Sequence, residues 1–206
     1  MTDDAHADIA WMRQLAEDGA RQPFRGASIV MAAGLIYGLA SLAHWAALTG
    51  VLPGGVDLSA PIWLGATALF LVTLAILIWR LKAGAGVQTT ANRVIGAVWS
   101  CVGWAIFALF ISLAAYSARL SDGQGVAALY LAPSIIMVFY GLGWAVTASL
   151  FRNGRLWWLS IGSFIAAPAL AALTGAPEQY LGYAAALFVL MALPGFLLMR
   201  QAAKAS

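Results

Sequence analysis

The sequence predicts an all-α, polytopic membrane protein with six transmembrane helices, on the basis of its composition and of the lengths of its apolar runs. Hydrophobic residues make up 63% and charged residues 9% of the 206 residues. A soluble domain carries about 25% charged residues, so this chain is too poor in charge to cover a water-facing surface. A membrane-spanning helix needs roughly 20 mostly apolar residues. Six runs meet this requirement, at about 27–49, 60–79, 94–117, 128–151, 156–174 and 180–199.

The basic residues predict the orientation of these six spans. Ten of the eleven Lys and Arg residues fall on one side of the layout, and only Arg119 falls on the other. The ten are Arg13, Arg21, Arg25, Arg80, Lys82, Arg93, Arg152, Arg155, Arg200 and Lys204. Short cytoplasmic loops retain Lys and Arg, so we expect both termini in the cytoplasm and the protein in the cell inner membrane. As orientation signals, the basic clusters do not call for a nucleic-acid partner.

The same layout divides the chain into three parts. We expect a cytoplasmic arm at residues 1–25, a six-helix transmembrane domain at 26–200 and a cytoplasmic tail at 201–206. Within the transmembrane domain, segments 60–80 and 132–152 both begin with Ala-Pro and end with Arg. This internal repeat suggests that the six spans form three helical hairpins that all face the same way. Parallel repeats of this kind occur in transporters, and they also occur in simple bundles.

The spans lack the groups that ion coupling and hydrolysis require. None of the six predicted spans carries Asp, Glu, Lys or Arg near its centre, and such residues usually mark a proton or ion path. No nucleophile, zinc or nucleotide motif is present, and the single cysteine, Cys101, excludes an intrachain disulfide. We therefore expect a protein without enzymatic activity, metal or cofactor.

Polar-tipped aromatic side chains stand at mid-depth in the predicted spans. They are Tyr37 in span 1, Trp104 in span 3, and Tyr140 and Trp144 in span 4. Phenol and indole groups need a hydrogen-bond partner in an apolar environment. One interpretation is interhelical hydrogen bonding, with Ser100, Ser112, Thr147 or Ser149 as partners. The alternative is an aromatic cavity for a neutral or hydrophobic ligand.

His44 is the only histidine in the predicted spans. One interpretation is a polar residue near the membrane interface, hydrogen-bonded to a neighbour or to water, and the alternative is a ligand or proton site. A metal site needs three or four ligands, which the surrounding sequence does not offer. Lipid-directed catalysis would require His44 within reach of an acid in an outer loop, namely Asp57, Asp122 or Glu178.

Gly34 and Gly38 form a GxxxG pattern in span 1. Small residues four positions apart allow helices to approach closely. We expect this pattern to serve internal packing, and a homodimer seam is the alternative.

Residues 2–20 predict a short amphipathic cytoplasmic helix. Ile9, Met12 and Leu15 share its apolar face, and Trp11 borders that face. Five acidic residues and one arginine give this segment a charge of −4, which is the wrong sign for binding anionic lipid. The helix is expected either to dock on the basic rim of its own bundle or to bind a cytoplasmic protein through Ile9, Trp11, Met12 and Leu15.

Two functional hypotheses follow from these features. The first is a non-enzymatic regulatory, accessory or sensor subunit that couples the membrane bundle to a cytoplasmic partner. The alternative is a small channel or facilitator for a neutral or hydrophobic substrate.

Overall fold

The computed structural model describes residues 26–83, 89–120 and 124–205, without the side chains of 124–126 and 205, together with Asp8, Trp11 and Phe24. All regular elements of this part are helical. They are α1 (Ala27–Leu48), a 3₁₀ turn (Gly55–Leu58), α2 (Ser59–Ala83), α3 (Thr90–Ser117), the short α4 (Gln124–Leu129), α5 (Ala132–Phe151), α6 (Gly154–Ala172), α7 (Glu178–Leu187), a π-helical segment (Phe188–Ala192) and α8 (Leu193–Ala205).

Six helical stretches in the described part are long and apolar enough to cross a membrane. They are Ala27–Leu48, Gly55–Ala83, Thr90–Ser117, Ala127–Phe151, Gly154–Ala172 and Glu178–Lys204. The predicted all-α chain with six candidate spans is thereby confirmed, as expected for a multi-pass membrane protein. The last of these stretches joins α7, the π-helical segment and α8 into one continuous helix, which we call the last span.

The helices form two groups that meet at the middle of the bundle. In the first group, α1 packs on α2 along one side and on the last span along the other. In the second group, α5 packs extensively on α6 and also on α3. Contact between α6 and the last span is slighter, and α2 and α3 share little contact. The two helices of the first predicted hairpin, α1 and α2, therefore pack on each other, and so do α3 and α5 of the second. In the third predicted hairpin, α6 packs mainly on α5 and the last span packs mainly on α1. The three-hairpin repeat itself stays a prediction.

Glycines bring the backbones of α1 and the last span together. A methyl group on Gly34 would lie 2.4 Å from the backbone nitrogen of Ala192, and one on Gly195 would lie 2.6 Å from that of Met31. A methyl group on Gly38 would meet the Phe188 ring at 2.6 Å. The GxxxG pattern thus serves internal packing, as expected, and these glycines are not available for a homodimer seam.

The π-helical segment lies where the last span crosses α1. Pro194 lies two residues after its end, and proline supplies no N–H for the carbonyl four residues earlier. The wider turn of a π-helix is one way in which a helix accommodates such a residue. It also presents Phe188 and Ala192 to the two glycines of α1.

The joint between α5 and α6 is short and held by serine side chains. Ser160 donates a hydrogen bond to the Gly141 carbonyl at 2.8 Å, and Ser134 donates one to the Ala167 carbonyl at 2.7 Å. At the turn, the side chain of Asn153 accepts from the Arg155 backbone N–H at 3.1 Å. Because both serine bonds join different helices, they fix the depth at which α5 and α6 meet.

The two ends of the bundle differ in character. Basic side chains gather at one end, where α2 and α8 finish and α3 and α6 begin; we call it the Arg80 end. At the opposite end, α1 and α6 finish and α2 and α7 begin; we call it the His44 end. The side of the membrane that each end faces remains a prediction.

Candidate functional site

Three tyrosines from three different helices converge inside the bundle. Tyr37 comes from α1, Tyr140 from α5 and Tyr183 from α7, and they lie close enough to interact electrostatically. Tyr140 is 6% exposed and Tyr183 is 3% exposed, whereas Tyr37 is only partly buried. We call these three residues the tyrosine cluster. It joins the two helix groups of the bundle.

The hydroxyl groups of the cluster differ in their partners. The Tyr37 hydroxyl lies near the Thr67 side chain of α2. No residue in the described part of the chain hydrogen-bonds to the hydroxyl of Tyr140 or Tyr183. In a bilayer, lipid tails do not supply the missing partner. The cluster therefore offers two O–H donors, on two nearly buried residues, for which the described part of the chain provides no acceptor.

Aromatic rings surround the tyrosine cluster on both sides. The Tyr37 ring lies 5.4 Å from that of Phe70 and 6.5 Å from that of Trp63, both on α2. On the other side, the Trp99 ring of α3 lies 6.2 Å from Tyr140. The Trp99 indole donates to the Thr147 hydroxyl at 3.2 Å, so its ring is fixed. The walls next to the phenol groups are thus apolar and planar.

Trp144 lies one helical turn beyond Tyr140 and is completely buried. Its ring meets Trp99 edge-on at 5.3 Å, and its indole nitrogen has no hydrogen-bond partner in the described part of the chain. Because this nitrogen is fully enclosed, it has no space in which to contact a ligand. We assign Trp144 to the support of the Trp99 ring.

His44 joins three helices at the His44 end. The Trp63 indole N–H of α2 donates to His44 Nδ1 at 2.7 Å, and Ser59 Oγ lies 2.9 Å from His44 Nε2. The Tyr180 ring of α7 lies 4.0 Å from the imidazole. With 6% of its surface exposed, His44 is a buried residue with both nitrogens occupied. The sequence interpretation of His44 as a hydrogen-bonded polar residue agrees with this arrangement.

The Trp63 bond determines where the imidazole carries its proton. An indole N–H only donates, so Nδ1 must be the unprotonated nitrogen and Nε2 the protonated one. His44 Nε2 therefore donates to Ser59 Oγ. In a nucleophile–base pair the histidine nitrogen facing the serine must be unprotonated to accept the serine proton. The Ser59–His44 pair has the distance of such a dyad but the opposite proton arrangement.

Further hydrogen bonds hold the elements around His44. Ser41 donates to the Tyr180 carbonyl at 2.7 Å. The fully buried amide nitrogen of Gln179 donates to the carbonyls of Tyr130 at 2.7 Å and Leu170 at 3.1 Å. Next to them a cleft of about 130 Å³ is lined by Leu48, Tyr130, Gly175, Ala176, Pro177 and Tyr180. These bonds tie α7 to α1, to α6 and to the segment before α5.

The structure brings together some of the residues singled out in the sequence and separates others. Tyr37 and Tyr140 belong to one cluster, Trp144 supports it, and His44 lies in a separate network at the His44 end. Trp104 joins neither, because it is 70% exposed on the outer surface of α3, next to Phe107. Among the expected hydroxyl partners, Ser100 and Ser149 bond to carbonyls of their own helices.

Several residues of these networks had not been singled out in the sequence. They are Ser59, Trp63, Trp99, Tyr180 and Tyr183. Ser59 and Trp63 are four residues apart, and Tyr180 and Tyr183 are three apart. Both spacings place the side chains on one helix face. This spacing was the available sequence signal for these four residues, and it does not extend to Trp99.

Lipid-directed catalysis would need an acid beside His44, and neither of the two described acids bonds to it. Asp57 lies in the 3₁₀ turn before α2, and Glu178 begins α7, but the hydrogen bonds of His44 go to Ser59 and Trp63. Asp122 lies outside the described residues. The arrangement of acid and histidine that lipid-directed catalysis would need is therefore not seen for the two acids that are described.

The proposed partner-binding helix is described at two residues only. Asp8 and Trp11 are helical and exposed, with 65% of the Trp11 surface accessible. Ile9, Met12 and Leu15 lie outside the described residues. Binding of a partner through this helix stays a prediction.

No protein-family model, curated protein or solved structure matches this chain.

Proposed function

We propose that this is a non-enzymatic sensor or regulatory subunit of the cell inner membrane, with both termini in the cytoplasm. Its bundle holds a neutral small molecule at the tyrosine cluster, and its N-terminal helix passes the occupied state to a cytoplasmic protein. The observation that carries the proposal is that the hydroxyls of two nearly buried residues, Tyr140 and Tyr183, have no acceptor in the described part of the chain. A buried polar group without a partner costs about 1–3 kcal/mol, which a bound molecule would recover.

Two features support a binding function over catalysis. The proton on His44 Nε2 faces Ser59, so the one Ser–His pair of the described residues is not arranged for nucleophilic attack. A proton added at Nδ1 would confront the Trp63 N–H and break that bond. The groups described at the tyrosine cluster are phenols, indoles and a threonine hydroxyl, which suit a neutral ligand.

The exposure of Trp11 supports the partner-binding form of the proposal. A tryptophan seated on its own bundle would lose most of its accessible surface, whereas Trp11 keeps 65% of it. Large aromatic side chains are common anchors in protein interfaces. Docking on a cytoplasmic protein is therefore the use of this helix that we propose.

Affinity capture from membranes tests the coupling. The full chain, a variant lacking residues 1–25 and Trp11→Ala are compared, with Trp104→Ala as a control for removing an exposed tryptophan from the bundle. We expect a cytoplasmic protein to be recovered with the full chain and with Trp104→Ala, and to be lost with the other two. Identical partner sets from the full chain and the truncated variant would contradict the proposal.

A facilitator for a neutral substrate is the second candidate, because the hydroxyls of Tyr140 and Tyr183 could equally line a passage. The backbone contact of Gly34 with Ala192 opposes a wide path between α1 and the last span. Proteoliposomes tested for uptake of glycerol and urea distinguish the two functions. Rates above those of empty liposomes that fall in Tyr140→Phe would favour the facilitator.

A further inference from the structure

We propose that the tyrosine cluster binds an apolar molecule through a neutral carbonyl oxygen, and that this molecule enters from the lipid between α2 and α3. This inference rests on the proposed function and names the chemical class of its ligand. It depends on the hydrogen-bonding capacity of the cluster, on the rings around it and on the way the two helix groups are separated.

The hydrogen-bonding capacity of the cluster favours an acceptor. A phenol can donate one hydrogen bond, and a ligand that only donates would leave that O–H unpaired. A carbonyl oxygen has two lone pairs, so one oxygen can accept from both Tyr140 and Tyr183. These two residues come from α5 and α7, which belong to different helix groups. A single ligand oxygen would therefore bridge the two groups.

The surroundings exclude a charged ligand and favour an apolar body. The rings of Phe70 and Trp63 lie on one side of the cluster and that of Trp99 on the other. In the part of the chain that the structure describes, all of the charged side chains lie outside the central turns of the spans. An ionised ligand would lack a counter-charge, whose absence is costly in a low-dielectric interior. A neutral molecule with an aromatic or aliphatic body meets no such cost.

The route from the lipid follows from how α2 and α3 are packed. The helix α2 packs on α1 and the helix α3 packs on α5, whereas α2 and α3 share little contact with each other. Of the residues in α2 only Ala66 is buried, and of those in α3 only Ile95 and Val102 are buried. Tyr37, which is partly exposed, approaches Tyr140 across the junction between the groups. Since α2 and α3 share little contact, we place the entry of the ligand between them, next to Tyr37.

The His44 end offers a poorer route. The rings of His44, Trp63 and Tyr180 close the space between α1, α2 and α7, with His44 and Tyr180 only 4.0 Å apart. The bonds of His44 to Ser59 and Trp63 hold this closure in place. A ligand arriving from water at this end would have to break them. Entry from the bilayer requires no such change.

Photolabelling with benzophenone, a neutral aromatic ketone, tests the inference on the full chain in phosphatidylcholine vesicles. Mass spectrometry locates the label. We expect it on α5 near Tyr140 and on α7 near Tyr183. Loss of one hydrogen bond corresponds to about a five-fold weaker binding, so Tyr140→Phe and Tyr183→Phe should each lower this labelling about five-fold. Tyr116→Phe, which alters an exposed tyrosine of α3, should leave it unchanged.

A matched pair of competitors isolates the carbonyl oxygen. 9-Fluorenone and fluorene share one ring system, but only 9-fluorenone has the carbonyl. We expect 9-fluorenone to suppress the labelling at concentrations at which fluorene does not. Equal competition by fluorene, or unchanged labelling in both Tyr→Phe variants, would overturn the carbonyl assignment and leave a neutral-ligand site in place. Label confined to lipid-facing residues such as Trp104 would overturn the inference together with the ligand-binding part of the proposed function, whereas the coupling part fails only in the affinity-capture experiment.

Discussion

At the residue scale, His44 is notable because its two nitrogens are occupied by side chains of one neighbouring helix. Trp63 and Ser59 both lie on α2, one helical turn apart, and His44 lies on α1. The pair of bonds therefore fixes the imidazole ring and the rotation of α2 about its own axis. The Tyr180 ring, tilted against the imidazole at 4.0 Å, extends this order to α7.

The first prediction concerns this network. Trp63→Phe keeps an aromatic ring but removes the N–H donor, which leaves His44 Nδ1 buried and without its partner. Such a loss costs about 1–3 kcal/mol, so Tm in detergent should fall. Trp104→Phe is the control, because Trp104 is exposed and outside the network; its effect should stay within about 0.5 kcal/mol. Equal Tm values for the two variants would show that the Trp63 bond contributes nothing.

The sequence allowed part of this site to be predicted. Tyr37, His44, Tyr140 and Trp144 were recognisable as polar-tipped groups at membrane depth, and all four are buried or partly buried. Trp104 has the same signature but faces outward. In water a helix shows its buried side by its apolar stripe, whereas in lipid both sides are apolar. The sequence consequently did not show on which side of α3 the bundle lies.

At the element scale, the contact between α1 and the last span depends on residues that have no side chain. Gly34 meets the backbone of Ala192, and Gly195 meets that of Met31. Small residues at a helix interface exchange side-chain volume for closer backbone approach. Gly34 and Gly38 predicted a close helix contact, but the sequence did not show that the last span would be the partner of α1.

The second prediction tests that contact. Gly34→Ala places a methyl group 2.4 Å from the Ala192 nitrogen, so the helices must separate. Overpacking of this kind costs about 1–3 kcal/mol, and Tm should fall. Gly65→Ala is the matched control on α2, because nothing lies within 4 Å of its methyl position. Alanine forms helices better than glycine, so Gly65→Ala should keep or raise Tm; a larger loss there than in Gly34→Ala would contradict the glycine contact.

The third prediction concerns the pairing of α5 and α6. Ser160→Ala removes a buried hydrogen bond between the two helices and leaves the Gly141 carbonyl without that donor. We expect a loss of about 1 kcal/mol. Ser149→Ala removes a bond to Ala145 within one helix on an exposed face and should change stability less. Unfolding in a denaturant series measures both, and equal losses would argue against an interhelical role.

Most of the helices could be predicted from the sequence, but the helices on which they pack could not. Six apolar runs of suitable length sufficed for the six spans, because hydropathy and length alone decide whether a helix can cross a bilayer. The π-helical segment was not predicted, since Phe188–Ala192 reads as ordinary apolar helix. It becomes understandable only when Pro194 and the glycines of α1 are seen together. The assignment of the last span to α1 likewise depended on a contact between distant parts of the chain.

At the scale of the whole molecule, basic residues mark one end of the bundle. Arg80, Lys82, Arg93, Arg152 and Arg155 lie there, with Arg200 and Lys204 at the end of the last span. Arg119 is at the opposite end, after α3. This asymmetry is the basis of the proposed orientation.

The fourth prediction follows from this asymmetry. A reporter enzyme that is active only outside the cytoplasm, fused after Asp57 or after Glu178, should be active. The same reporter fused after Lys82 should be inactive, because positively charged loops are retained in the cytoplasm. Activity after Lys82 together with inactivity after Asp57 would invert the orientation, and the N-terminal helix would then have no access to a cytoplasmic partner.

The backbone contact between α1 and the last span also has a mechanical consequence. Two helices that touch through their main chains have no compressible layer between them, so they act as a stiff spine. The pair α5 and α6, pinned by Ser134 and Ser160, is a second rigid unit. The helices α2 and α3 are each packed along a single side, so they are the parts of the bundle that move most easily. Any widening of the bundle around a guest molecule should be an outward swing of these two helices.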